Sequence, residues 1–389
     1  MPDTVQDKGA RETGVADAWQ RVPSARRVIV KIGSNLLTRG GDVLCREWIL
    51  ARAREISALL ETGRQVAIVT SGAVAAGTSK LGLGRKPVRL REKQAAAAAG
   101  QGVLMQHYEE AFAATGRMVG QVLLTRDDVM HRRRYLNARD TLETLLEYGL
   151  IPIVNENDTV AVDEICFGEN DTLAALVAGL IGADLLVLLS DIDGLYAADP
   201  RLHAEAEFIP LVTEITPGIE QAGGGSGSQV GSGGMATKLK AARMAARSGC
   251  MTVIANGFRE GVLTDVCAGR PAGTLFLSGR DPLGSRKRWI ADGLKGVGEL
   301  ELDAGAVRAL LDGSSLLARG IRAVSGRFGR GVAVHCRTPK GEIIARGLVN
   351  YSADELRLIA GRHSGEFESL LGFRGNDEVI HRDNLVLLQ

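Results

Sequence analysis

Q-V-A-I-V-T-S-G-A, Gln65 to Ala73, decides the fold of this 389-residue chain. Gln65 to Thr70 is apolar without alternation, as in a strand covered by helices on both faces, and it ends in small polar residues. Open parallel sheets bind ligands at such strand ends. Upstream, Arg46 to Thr62 has helical periodicity, with Ile49, Ile56, Leu59 and Leu60 on one face and Gly63 closing it. Val28 to Ile32 precedes that helix as another β-rich run. Downstream the alternation continues. Lys93–Ala114, Tyr135–Tyr148, Asp171–Ile181 and Met235–Ser248 read as helices. Val119–Leu124, Leu150–Val154, Leu185–Leu189 and Thr252–Ala255 read as strands. Strands separated by helices of ten or more residues predict βαβ units. The predicted fold class is α/β, an open, mostly parallel sheet sandwiched by helices over residues 26–280.

From Leu300 onward the pieces are short and β-like: Ala323–Val324, Val332–Cys336, Ile343–Val349 and Glu378–Leu388. They predict a small β-rich domain over 297–389, joined by a linker over 281–296. Residues 1–25 are polar and mixed in charge, with no apolar centre, so they predict a disordered tail rather than a signal peptide.

The chain is 45% hydrophobic and 24% charged, with a formal net charge of +1. That composition excludes wholesale disorder and gives no long-range pull toward nucleic acid or anionic membrane. Residues 282–389 hold 16 Lys and Arg against 13 Asp and Glu, a weak basic bias. No uncharged apolar run reaches the ~18 residues of a spanning helix. Five cysteines (Cys45, Cys166, Cys250, Cys267, Cys336) are widely spaced without a C-x-x-C, which predicts reduced thiols in a cytoplasmic protein. Glycine, at 49 residues, is about twice its usual ~7% share.

Four strand ends carry small or polar residues. They are Lys31-Ile32-Gly33-Ser34-Asn35, Thr70-Ser71-Gly72-Ala73, Asn155-Glu156-Asn157-Asp158 and Ser190-Asp191-Ile192-Asp193-Gly194. On one sheet edge they would form a cradle for an anion. Gly223–Gly234 holds seven glycines in twelve residues, and Met235-Ala236-Thr237-Lys238 then opens a helix. Freed backbone amides and a helix N-terminus suit a phosphate. A lysine in the first turn opposes the helix dipole and calls for an anion nearby. The plainer alternative is a flexible linker before an exposed lysine. Lys31, at the end of an apolar strand, is costly to bury unpaired. With Lys238 it could clamp a transferring phosphoryl group, though a strand-end lysine can also reach out to solvent. Gly168-Glu169-Asn170-Asp171 reads locally as a helix start capped by Asn170. Ala161–Glu169 reads as a loop over the site. His131, followed by three arginines, reads as a solvated helix face. No catalytic serine or cysteine pairing and no metal-ligand spacing stands out.

Taken together, V-T-S-G-A-V-A-A-G from Val69, L-L-T-R-D-D from Leu123, Y-L-N-A-R-D-T-L from Tyr135, N-E-N-D from Asn155, G-E-N-D from Gly168, D-G-L-Y from Asp193, G-G-M-A-T-K from Gly233 and R-K-R-W-I from Arg286 resemble the amino-acid kinase family. The resemblance runs from about Arg27 to the C-terminus. G-S-S-L-L-A-R-G-I, Gly313 to Ile321, resembles the start of a PUA domain, a module known for RNA binding.

This resemblance implies ATP-dependent phosphorylation of the L-glutamate side-chain carboxylate to L-glutamyl 5-phosphate, the first step from glutamate to proline. It implies catalytic roles for Lys31, Lys238 and Asp171, the last orienting the lysines. Ser71, Asp158 and Asn170 match glutamate-binding positions. Lys31, Ser190 and Asp191, with the loop Ser232, Gly233, Gly234, Met235, Ala236, Thr237 and Lys238, match nucleotide-binding ones. Mg²⁺ would arrive with ATP. Proline as inhibitor, a homo-oligomer and coupling to the next enzyme of the pathway are further implications. The sequence departs from the family pattern at Asn35, where a hydroxyl residue is common, and more mildly at Ser190, Ser232 and Glu169. A sister activity on another carboxylate, or an RNA-binding role through the C-terminal domain, are the competing readings.

Overall fold

The computed structural model describes residues 14–41, 43–125, 128–129, 132–160, 170–203, 205–224, 234–278 and 297–388. They form two compact units, one of residues up to 129 and from 138 to 278, the other of 132–137 and 297–388. The linker at 281–296, the Ala161–Glu169 loop, His131, Cys166, most of the glycine loop and residues 1–13 of the expected tail lie outside the described residues.

In the first unit, eight strands make one sheet, here β1 (Arg27–Ile32), β2 (Gln65–Thr70), β3 (Val119–Leu124), β4 (Ile151–Glu156), β5 (Leu185–Ser190), β8 (Leu211–Val212), β9 (Met251–Asn256) and β10 (Thr274–Phe276). A separate ribbon, β6 (Leu195–Tyr196) with β7 (Phe208–Ile209), lies between β5 and β8 in sequence. The sheet order is β3-β4-β2-β1-β5-β9-β10-β8. Every pairing is parallel except β9 with β10. The order turns at β1, which lies between β2 and β5, so ligand-binding strand ends belong there. Val28, Ile29 and Val30 of β1, and Leu185 to Leu188 of β5, are fully buried, which accounts for their unbroken apolar sequence.

Four helices of this unit, Ser34–Thr38, Ala73–Lys80, Pro217–Ala222 and Val262–Cys267, escape the sequence reading. Ser34–Thr38 is too short to carry a period, and Ala73–Lys80 (A-V-A-A-G-T-S-K) has no apolar stripe. The second packs on Leu90–Ala113 at backbone contact. A Cβ at Gly77 would lie 1.7 Å from the Ala96 carbonyl oxygen, and one at Gly100 would lie 1.9 Å from that of Ala73.

The expected tail is corrected over its second part. Residues 14–19 are helical, Val22–Ser24 forms a 3₁₀ turn, and Trp19, Val22 and Ala25 are buried in the core of the first unit. Gly269, with φ +75°, leaves room for them: a Cβ there would come within 2.9 Å of the Trp19 carbonyl oxygen and Pro23. Single apolar residues among charges show no period, so the docking was not readable in advance.

In the second unit, β11 (Gly298–Leu302), β13 (Ile321–Gly326), β14 (Ala333–Arg337), β15 (Ile343–Leu348) and β17 (Leu385–Leu387) form a sheet in the order β13-β11-β14-β15-β17. A small ribbon pairs β12 (Leu316–Leu317) with β16 (Glu378–Ile380). The run Glu378–Leu388 is therefore two strands in two sheets, broken by the 3₁₀ turn Arg382–Asn384. Helices Ala304–Leu311 and Ala353–Ile359, also absent from the sequence reading, are capped by Asp303 and Ser352.

Candidate active site

Because β1, β2, β4 and β5 are parallel neighbours, their four polar ends open on one edge of the sheet. Lys31, one residue from the end of β1, is 6% exposed. Its Nζ lies 2.6 Å from Asp171 Oδ1. Asp171 is in the first turn of the helix Asn170–Ile181 and fully buried. Lys238, in the first turn of Met235–Arg247, reaches Asp171 Oδ2 at 3.5 Å and is 6% exposed. Thr237 Oγ1 donates to the same oxygen at 2.8 Å. One carboxylate thus gathers two ammonium groups from a strand end and a helix start. Lys238 is therefore buried rather than exposed, and Lys31 does not reach out to solvent.

Burial works to raise the Asp171 carboxyl, but the charges of Lys31 and Lys238 and the hydrogen bonds from Lys31 and Thr237 outweigh it and hold it below the ordinary range. Lys238 is pushed down, first by burial and further by Lys31, against the opposing pull of Asp171. Two cations against one buried anion leave a local excess of positive charge. Such a cluster is balanced by an anion entering from the open edge.

Beside it lies an amide cluster. Asn170 Nδ2 faces three acceptors: the Thr70 carbonyl oxygen and Ser71 Oγ, each at 2.8 Å, and Asn155 Oδ1 at 3.2 Å. Asn170 is the first helical residue, and its side chain is drawn across to β2 rather than capping the helix as its sequence context suggested. Asn155, 2% exposed, also accepts from the Glu156 backbone N–H and donates to Gln101 Oε1 at 3.0 Å. Half-buried Asp158 is pushed up to about 6 by burial and by Glu156.

Ser190 and Asp191 continue the edge at the end of β5. Ser190 Oγ donates to Asp191 Oδ1 at 3.3 Å, and Asn35 Nδ2 to Asp191 Oδ2 at 3.4 Å. The unusual Asn35 therefore faces a carboxylate. Gly234 caps the lysine-bearing helix and accepts from Thr237 Oγ1, and Met235 and Ala236 form its first turn. Ser232 and Gly233 lie outside the described residues. Among the described residues, no group of three or more His, Cys, Asp or Glu side chains is arranged to hold a metal ion.

Sequence reasoning missed Gln101 and gave Asn155 no role of its own. The only available signal for Gln101 was a lone amide between two glycines after an alanine run.

Fold and site together define an α/β protein with two buried lysines gathered on one carboxylate at a parallel-sheet edge. The profile of the amino acid kinase family matches residues 26–256, and that of the PUA domain matches 298–371. The glutamate 5-kinase of Geobacter sulfurreducens is 52% identical over 364 residues, covering 93% of this chain and 98% of that protein. The glutamate 5-kinases of Ectopseudomonas mendocina and Moorella thermoacetica are 51% and 49% identical, over 95% and 94% of this chain and 99% and 97% of theirs. The chain belongs to the amino acid kinase family and, within it, to the glutamate 5-kinases.

Proposed function

We propose that this chain transfers the γ-phosphoryl group of ATP to the side-chain carboxylate of L-glutamate, giving L-glutamyl 5-phosphate and ADP. The observation that carries the reading is the convergence of Lys31 and Lys238 on Asp171 at the sheet edge. A carboxylate oxygen attacks the γ-phosphorus, and the bond to the β,γ-bridging oxygen breaks, its electron pair leaving with ADP. No proton moves, because a carboxylate with a pKa near 4.3 is ionised at neutral pH. The barrier is the approach of two anions, so positioning and charge neutralisation supply the catalysis. Lys31 and Lys238 take the phosphate charge, and Asp171 sets their spacing. Ser71, Asn170 and Asp158 hold the amino acid. Ser190, Asp191 and the segment from Ser232 to Lys238 hold the nucleotide. Mg²⁺ enters on the phosphates of ATP.

Proline inhibits by occupying the amino-acid end of the glutamate site, since it lacks the side-chain carboxylate. The chain works as a homo-oligomer in the cytoplasm and hands a labile acyl phosphate to the next enzyme of the pathway. Among the described residues, no helix is long and apolar enough to cross a membrane.

The test is a substrate panel with hydroxylamine trapping. ADP release should require L-glutamate and yield the γ-hydroxamate. Turnover with aspartate, N-acetylglutamate or carbamate, but not glutamate, would overturn the assignment. The PUA match favours a second reading, RNA binding. Filter binding across salt concentrations separates it, because phosphate contacts give a steep salt slope.

A further inference from the structure

Three side-chain amides form a chain with one direction. Asn170 Nδ2 donates to Asn155 Oδ1, and Asn155 Nδ2 donates to Gln101 Oε1. Main-chain groups that can play only one role pin that direction at two points. The Glu156 N–H can only donate, so Asn155 turns its oxygen to it at 2.9 Å. The Thr70 carbonyl can only accept, so Asn170 turns its nitrogen to it at 2.8 Å. Gln101 must then offer its oxygen to the Asn155 nitrogen. Two buried atoms are left without a hydrogen-bond partner among the described residues, the acceptor Asn170 Oδ1 at one end and the donor Gln101 Nε2 at the other. Unmet buried polar atoms are costly and call for an explanation.

We infer that Gln101 is a positioning residue of the amino-acid subsite. Through Asn155 it steadies the position of the Asn170 amide, which the Thr70 carbonyl already turns with Oδ1 toward the substrate, where it accepts a hydrogen bond from the α-ammonium. This rests on the glutamate reading of the site. The helix Leu90–Ala113 is anchored for the task. Seven residues beyond Gln101, on the same helix face, Tyr108 shares a buried 2.7 Å hydrogen bond with Thr70 Oγ1. Gly100, next to Gln101, meets the backbone of the helix Ala73–Lys80.

The test compares Gln101→Met, which removes the acceptor at similar length, with Gln101→Glu, which keeps an acceptor oxygen in either ionisation state. Gln101→Met should raise KM for glutamate about tenfold, the scale of one lost buried hydrogen bond, while KM for ATP and kcat change little. Gln101→Glu should restore KM to near the wild-type value. Asn155→Asp, which keeps the oxygen but loses the donor toward Gln101, should reproduce the same split even where Gln101→Met does not fold. Combining Asn155→Asp with Gln101→Met should add nothing further, because both cut one chain. An unchanged glutamate KM in Gln101→Met or Asn155→Asp, a Glu variant as impaired as the Met variant, or additive effects in the pair would overturn the inference. So would parallel losses in ATP binding and kcat. A wild type that ignores glutamate in the same assay would instead overturn the proposed function.

Discussion

At the scale of single residues, the site is a contest between burial and charge. Burial opposes the charged forms of Asp171 and Lys238, and their ion pair favours them. With Lys238 proposed to take the phosphate charge of the transition state, Lys238→Ala should lower kcat by about 10²–10³ and move KM for glutamate far less. Steady-state kinetics checks this, and an unchanged kcat would remove Lys238 from the mechanism. Asp158 supplies a pH signature. With its carboxyl pushed up to about 6, first by burial and then by Glu156, it is protonated in the free protein below that pH. An incoming ammonium must displace that proton, so KM for glutamate should be flat above neutrality and rise as pH falls through about 6. Asp158→Asn should flatten the profile. The sign for stability is the opposite: a raised carboxyl favours the fold at low pH, and this contribution is lost as pH climbs through about 6. Lys31 and Lys238 were legible in the sequence because a charge at an apolar strand end, or opposing a helix dipole, needs a partner. Gln101 was not, since its partner Asn155 lies 54 residues away and nothing local links them.

At the scale of elements, apolar runs and helical periods were enough for the strands β1 to β5 and β9 and for the long helices between them. The misses share a cause, which is that tertiary contact replaces local pattern. Ala73–Lys80 is a helix without a stripe because its partner touches its backbone rather than side chains. Gly77 and Gly100 make that approach possible and account for part of the excess of glycine. Gly100→Ala should therefore destabilise the protein by at least the about 1–3 kcal/mol of ordinary overpacking, since the added methyl meets backbone that cannot turn aside. Denaturant unfolding measures it, and an unchanged midpoint would show that the helices can part at no cost. The segment 14–25 reached the core by the same kind of contact, through Trp19 and Val22.

At the scale of the whole molecule, two cores divide the labour. The first unit carries every described residue of the proposed site, from Lys31 to Lys238. The second has a core of its own around Leu300, Val334, Tyr351, Leu356 and Ile380. A fragment ending at residue 280 should therefore keep kcat/KM for glutamate within about tenfold of the full chain, as expected of units that fold on their own cores. Hydroxamate formation by the purified fragment checks it, and an inactive but folded fragment would place part of the site beyond residue 280. Cys250, Cys267 and Cys336 are buried, and burial pushes each thiol up, to about 11 for Cys267 and about 12 for Cys336. Thiols held so far from ionisation are poor nucleophiles, in keeping with a packing role.

The seam between Gly77 and Gly100 also sets how the protein can change. Ser71 leads into one helix of the pair and Gln101 sits on the other, so the seam fixes the gap between two walls of the proposed amino-acid subsite. At Gly77 and Gly100 it has no side chain to trim. It acts as the fixed jaw of a calliper: a longer or bulkier amino acid cannot be admitted by mutating it, because any substitution there forces the helices apart. Selection for a new substrate has to act elsewhere in the proposed subsite.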